Sequence, residues 1–179
     1  MLNINSKTLH CGTNVSTEIF YIKDIKDSSC ELTNESDFHI KVENKEKINI
    51  TFLKIDKCFF SDSDRFKKCD CAVFSKEKSY FIEIKEVENI EVLDSKLRKP
   101  SLKRKNLKKE ATKQLIETIN QFKKLGLNDL RNTNAIISIV PLTLNNYTSP
   151  ISTRDQSVIA DFMTKTGCPN LFIGNVIEF

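Results

Sequence analysis

Glycine is scarce in this chain, four residues in 179, and no G-x-x-x-x-G-K run is present to cradle nucleotide phosphates. Nucleotide hydrolysis on a P-loop is thereby excluded. Long apolar runs are missing too, so no stretch of roughly 18 residues reads as a membrane-spanning helix. The opening residues MLNINSKTLHCGTNV lack the basic flank and apolar run of a signal peptide. The expectation is a cytoplasmic protein with no membrane partner. Histidine is limited to His10 and His39, both in polar surroundings with no paired nucleophile signature.

Six cysteines are present, at 11, 30, 58, 69, 71 and 168. In an intracellular chain of this size they are expected to stay reduced. A zinc site built from Cys58, Cys69, Cys71 and His39 lacks the C-x₂₋₄-C spacing that lets two thiolates close on one tetrahedral ion. Cys69 and Cys71 flank Asp70 on a predicted strand. Both should then point away from the Asp70 face as small buried apolar groups.

What is present is ordinary for a globular protein: 39% hydrophobic and 29% charged residues. The length suits one domain over 1–179. The net charge of +4 is unevenly spread. Residues 96–109, KLRKPSLKRKNLKK, hold eight basic residues and no acidic one, so the remainder carries −4. A mildly acidic body with one basic segment points to a polyanion partner. The segment contains no aromatics, so a base-stacking platform is not suggested.

Residues 1–50 read as β-rich, with short segments at 19–22 and 38–42 followed by 48–55 and 58–60. The strongest hairpin joins 69–74 to 79–87 through the turn Ser-Lys-Glu-Lys at 75–78. Residues 94–108 read as a polar, basic connection containing Pro100. From about Lys108 the period becomes helical, with Ala111, Leu115, Ile119, Phe122 and Leu125 on one stripe and Gly126 as C-cap. A strand follows at 135–140 and a helix at 153–166. That helix is opened by Ser152 and Asp155, carries Val158, Ile159, Phe162 and Met163, and stops at Gly167. The tail LFIGNVIEF reads as a last strand. The fold class is α/β (α+β), a central mixed sheet flanked by helices, with a core over 50–140 and a C-terminal helix and strand over 152–179.

The chemistry concentrates in CDCAVFSKEKSYFIEIKEV, residues 69–87. Strand alternation puts Phe81, Glu83 and Lys85 on one face and Tyr80, Ile82 and Ile84 on the other. If Phe74 pairs with Ser79 or Tyr80, Asp70 lies opposite Glu83 or Ile84, about 5 Å away. Two carboxylates that close repel unless a cation sits between them. Hard oxygen ligands on adjacent strands suit Mg²⁺ or Mn²⁺, and Lys85 beside them suits stabilisation of a phosphoryl transition state. A second E-x-K triplet, Glu43-Asn44-Lys45, sits in a polar run and reads as a solvated turn. The competing structural reading of 83–85 is an edge-strand ion pair, Glu83–Lys85 or Asp70–Lys85.

The stretch resembles the restriction-endonuclease-like PD-(D/E)xK nuclease superfamily, with an acid on one strand and (D/E)-x-K on the next. The resemblance covers about residues 50–122 and takes in Asp56-Lys57-Cys58, Cys69-Asp70, Tyr80 to Lys85, and a helix bearing Gln114. Cys69 stands where the family name has proline. The resemblance implies that Asp70 and Glu83 bind metal, that Lys85 is the catalytic lysine and that Gln114 lies near the site. Asp56 is the candidate further ligand, with Glu31 and Glu35 as alternatives for an upstream acid. Lys96, Arg98, Lys99, Lys103, Arg104, Lys105, Lys108 and Lys109 are the candidate phosphate contacts. The implied activity is Mg²⁺- or Mn²⁺-dependent cleavage of DNA in preference to RNA, in bacterial defence against phage by family analogy. A homodimer or a larger complex is compatible with this. The alternatives are a non-catalytic nucleic-acid-binding subunit and a protein-interaction module.

Overall fold

Short β-branched and aromatic segments separated by polar clusters must pair to satisfy their backbones, and here they pair into two sheets. A computed structural model describes residues 10–86, 100–127, 129–140, 148–150 and 156–179. The strands are β1 (Gly12–Val15), β2 (Ile19–Lys23), β3 (Glu31–Thr33), β4 (Ile40–Glu43), β5 (Ile50–Lys54), β6 (Cys71–Phe74), β7 (Ser79–Glu86), β8 (Thr133–Val140), β9 (Thr148–Pro150), β10 (Asn170–Gly174) and β11 (Val176–Glu178). The helices are α1 (Pro100–Lys124) and α2 (Gln156–Thr166).

The larger sheet runs β1-β5-β6-β7-β8-β10-β9, and the smaller runs β11-β4-β2-β3. β7 is antiparallel to β6 and parallel to β8, so the larger sheet is mixed. Both of its faces are covered. On one face α1 and α2 bury Ala111, Leu115, Ile119, Phe122, Val158 and Phe162 against Leu53, Ala72, Phe81, Ala135 and Ile137. On the other, Phe52, Val73, Ile82, Ile84 and Ile136 meet Phe20, Ile22, Ile40, Val42 and Ile177 from the smaller sheet. The expected sheet flanked by helices is thus corrected to three layers, helices on one side and a second sheet on the other. The second sheet forms because β2 pairs with both β3 and β4, and the tail joins them. The tail divides in two: β10 extends the larger sheet beside β8, and β11 pairs with β4.

Several other local expectations are revised. The basic stretch from Pro100 is helical, since proline suits a first helical turn where its missing N–H costs no bond. Leu125 and Met163, placed on apolar stripes from the sequence, are exposed. Residues 58–60 form a tight turn rather than a strand. Phe59 N–H and Phe60 N–H return to the carbonyls of Lys54 and Ile55 at 3.2 and 3.0 Å. Lys57 adopts φ +61° there, and Phe59 stacks on Phe122. Cys58 in this turn is joined to Cys11 by a disulfide, so the expectation of six reduced thiols is corrected. It also removes Cys58 from any zinc set. The other four cysteines are free and buried.

Candidate functional site

The hairpin register is Phe74↔Ser79 through Cys71↔Ile82, one of the two pairings expected from the turn. The next step brings Asp70 alongside Glu83, and there the ladder is irregular. Ile55 N–H and Asp56 N–H both donate to the Asp70 carbonyl, at 3.0 and 3.2 Å, while Asp70 N–H donates to Ile82 O at 3.1 Å. Two residues on the β5 side thus oppose one, a bulge that re-aims the side chain. The Asp70 carboxylate turns to β7 and accepts the Ile84 N–H at 2.5 Å. The same irregularity corrects the placement of the flanking cysteines. Cys69 packs in the helix-side core and Cys71 between the sheets, rather than both on one face.

On β7 the alternation is regular. Phe81 packs beneath Phe122 on the helix side, whereas Ile82 and Ile84 face the smaller sheet. Glu83 is 0% exposed. The Lys85 ammonium lies 2.7 Å from Glu83 Oε1, yet its direction is poor for a hydrogen bond, and neither Glu83 oxygen has a satisfied acceptor interaction. Lys85 donates instead to Gln114 Oε1 at 2.7 Å. Gln114 Nε2 in turn donates to Lys68 O at 2.8 Å, which fixes which end of the amide faces the lysine. Gln114 is presented by the middle of α1, whose next residues hold the same loop. Glu117 Oε2 accepts Lys67 N–H at 2.7 Å, and buried Thr118 accepts Cys69 N–H at 2.8 Å. The sequence-predicted Asp70, Glu83, Lys85 and Gln114 therefore come together. The ion pair of the competing reading exists, but on the central strand of seven and not on an edge.

Electrostatics at this spot disfavour two anions. Burial raises the Asp70 pKa to about 7; the Asp24 carboxylate adds to this, and the Ile84 N–H and Lys85 oppose it. Asp70 nevertheless keeps a solvent-facing edge, so some of that penalty is relieved by water. Burial also drives Glu83 well above the carboxylate range, with the charge of Asp70 next and Lys85 opposing. For Lys85, burial favours the neutral amine, but the contact with Glu83 outweighs it and the ammonium is held above its usual range.

Other predicted residues lie elsewhere. Asp56 gives its backbone N–H to Asp70, and its charge reaches Asp70. It does not complete a ligand set: among the described residues no three His, Cys, Asp or Glu side chains gather around a possible metal position. Glu31 and Glu35 are exposed beside the outer strand of the smaller sheet. Lys103, Arg104, Lys105, Lys108 and Lys109 belong to α1, with Lys109 exposed, while Lys96, Arg98 and Lys99 lie outside the described residues. Two residues carried no signal in the sequence. Asp24, just after β2, is the acid whose charge acts most on Asp70. His39, nearly buried, accepts Asp24 N–H at Nδ1 (3.2 Å) and faces Glu86 with Nε2 at 3.3 Å. Both arrive through the packing of one sheet on the other, which no local motif encodes.

Asp70 and Glu83 offer carboxylate oxygens, the ligand class that a hard divalent cation takes. Mg²⁺ is commonly held by one or two carboxylates and completes its shell with water and substrate phosphate, and Glu83 is a buried carboxyl that meets the Lys85 ammonium but has no well-directed hydrogen bond on either oxygen. No family model, curated protein or solved structure matches the chain.

Proposed function

We propose that this chain is a metal-dependent nuclease on a restriction-endonuclease-like scaffold, cleaving DNA in preference to RNA with Mg²⁺ or Mn²⁺. The observation that carries the reading is Glu83. It is a fully buried carboxyl with unsatisfied oxygens, beside a second acid and a lysine clamped by a glutamine. Such a group costs stability and is retained where it has work to do.

Asp70 and Glu83 would hold the ion, which when bound supplies a Lewis acid for the scissile phosphate and a more acidic water. Lys85 acts from the same sheet face. Its ammonium, kept charged by Glu83, holds the attacking water or meets negative charge growing on the phosphoryl oxygens. Gln114 aims that ammonium, and the Lys68 carbonyl aims Gln114. The start of α1 has no acidic residue in its first turn, so its dipole, with exposed Lys109 further along the helix, attracts the same polyanion. Action against phage DNA is the setting proposed for a small nuclease of this kind.

Supercoiled plasmid, linear DNA and RNA incubated with and without Mn²⁺ test the reading. Wild type is expected to cleave only with metal. Lys85→Ala should lose about 10²-fold or more while keeping the metal-induced rise in melting temperature. Full activity in Lys85→Ala would refute the assignment. The lack of a third acid among the described residues favours a second reading, a non-catalytic nucleic-acid-binding subunit. Nucleic-acid binding and a metal response without cleavage under any condition would select it.

A further inference from the structure

The loop that delivers Asp70 to the site, residues 61–69, sets Arg65, Lys67 and Lys68 against Asp62 and Asp64, and the basic segment 96–109 does not include it. Residues 61–64 close a turn around Asp64. Its carboxylate accepts Ser61 N–H at 2.8 Å, and its carbonyl accepts the Lys68 ammonium at 2.9 Å. Phe66 seats on Phe60 with centroids 4.8 Å apart, and Lys68 lies 5.3 Å from the Phe66 ring centroid. The loop is then fastened to α1 through Lys67 N–H, Lys68 O and Cys69 N–H. With Phe66 and Lys68 used to hold the shape, Arg65 and Lys67 are left exposed. Arg65 has no ion-pair or hydrogen-bond partner among the described residues. The Lys67 ammonium, among the described residues, pairs with Glu110 at 3.4 Å, with both side chains about half exposed, a pair worth little and readily exchanged for a phosphate.

Position gives these cations a role. The Lys68 carbonyl is one hydrogen bond from Gln114, which is one hydrogen bond from Lys85. Arg65 is three residues from Lys68, within roughly 10 Å along the chain, a distance that covers about three phosphates of one strand. The site itself presents two acids, so a polyanion entering it needs cations just outside. Lys67 also abuts Glu110, next to Lys109, so the loop continues the positive end of α1 toward the site. We infer that Arg65 and Lys67 are backbone-phosphate contacts for the nucleic-acid strand that the proposed nuclease site takes in. The inference rests on that proposal and adds the contact that seats the strand there. Contacts of this kind set position and carry no base information.

The test uses the full chain and a fluorescein-labelled 30-base-pair duplex of two unrelated sequences, titrated by anisotropy across salt concentrations in EDTA. The variants are Arg65→Ala/Lys67→Ala and the single charge reversal Arg65→Glu. The reversal sits at an exposed, unpaired side chain and leaves the fold intact. Two lost contacts should flatten the slope of log K against log salt by about 1.8, equally for both sequences. Arg65→Glu should weaken binding at least tenfold. Both variants should keep the wild-type rise in melting temperature with Mg²⁺. An unchanged slope and affinity in both variants overturns the inference and leaves the nuclease proposal standing. Wild type that binds neither duplex, single-stranded DNA nor RNA overturns both together.

Discussion

At Glu83 the fold keeps a carboxyl where neither oxygen is satisfied, and at Asp70 a second acid whose pKa lies at about 7. The sign of the resulting pH dependence follows directly. A carboxyl with a folded pKa above its unfolded value of 3.8 binds more protons in the folded state between those two values. Stability from this group therefore falls as pH rises from about 4 to about 7 and levels off above. Asp70→Asn keeps an oxygen to accept the Ile84 N–H and removes the charge. In EDTA at pH 8 it should be more stable than wild type, on the order of 2 kcal/mol after allowing for the solvent-facing edge. Denaturant melts at pH 5 and pH 8 measure this, and a gain that is equal at the two pH values would count against it. Because a cation needs both acids ionised, the rise in melting temperature with millimolar Mg²⁺ should grow from pH 6 to pH 8. It should vanish in Asp70→Asn and in Glu83→Gln. An undiminished response in those variants would place the ion elsewhere.

Among the elements, the turn at 55–60 supports several others. It stacks Phe59 on Phe122, places two N–H groups on the Asp70 carbonyl, and is tied to the start of β1 by Cys11–Cys58 across 47 residues. Reduction of a loop that long removes about 2–4 kcal/mol. Urea melts with and without a phosphine reductant should show that loss, and a Cys11→Ala/Cys58→Ala protein should not respond to the reductant. Equal midpoints for oxidised and reduced wild type would show the bond to be energetically idle. The same elements show what a sequence reader can see. β7 was legible because its apolar run from Tyr80 to Ile84 is interrupted only at Glu83, and the four-residue turn before it restricts the register to two choices. The aromatic residues of 58–60 suit a strand as well as a turn packed on a helix, so composition could not decide. Pro100 and the lysines after it read as a linker, because basic residues oppose the dipole at a helix start. The disulfide partners share no spacing motif, and Asp24 meets Asp70 only through contact between sheets.

For the whole molecule, the decisive arrangement is three layers with β7 in the middle of the seven-stranded sheet and covered on both faces. Local opening in proteins begins at elements with few buried contacts and unpaired edges. β1 and β9 are the edges of this sheet, each with one neighbour, whereas β7 is paired with β8 along its whole length and with β6 over Ser79–Ile82. Amide hydrogens of Phe81 to Lys85 should therefore exchange with deuterium only through global unfolding, while those of the edge strands exchange through smaller excursions. Native-state exchange across low denaturant concentrations measures this strand by strand, and β7 amides as fast as those of β1 would contradict it. Frayed edges would then leave the acids and the lysine in register. Partly opened molecules would still respond to metal, and the proposed site would persist as long as the sheet that carries it.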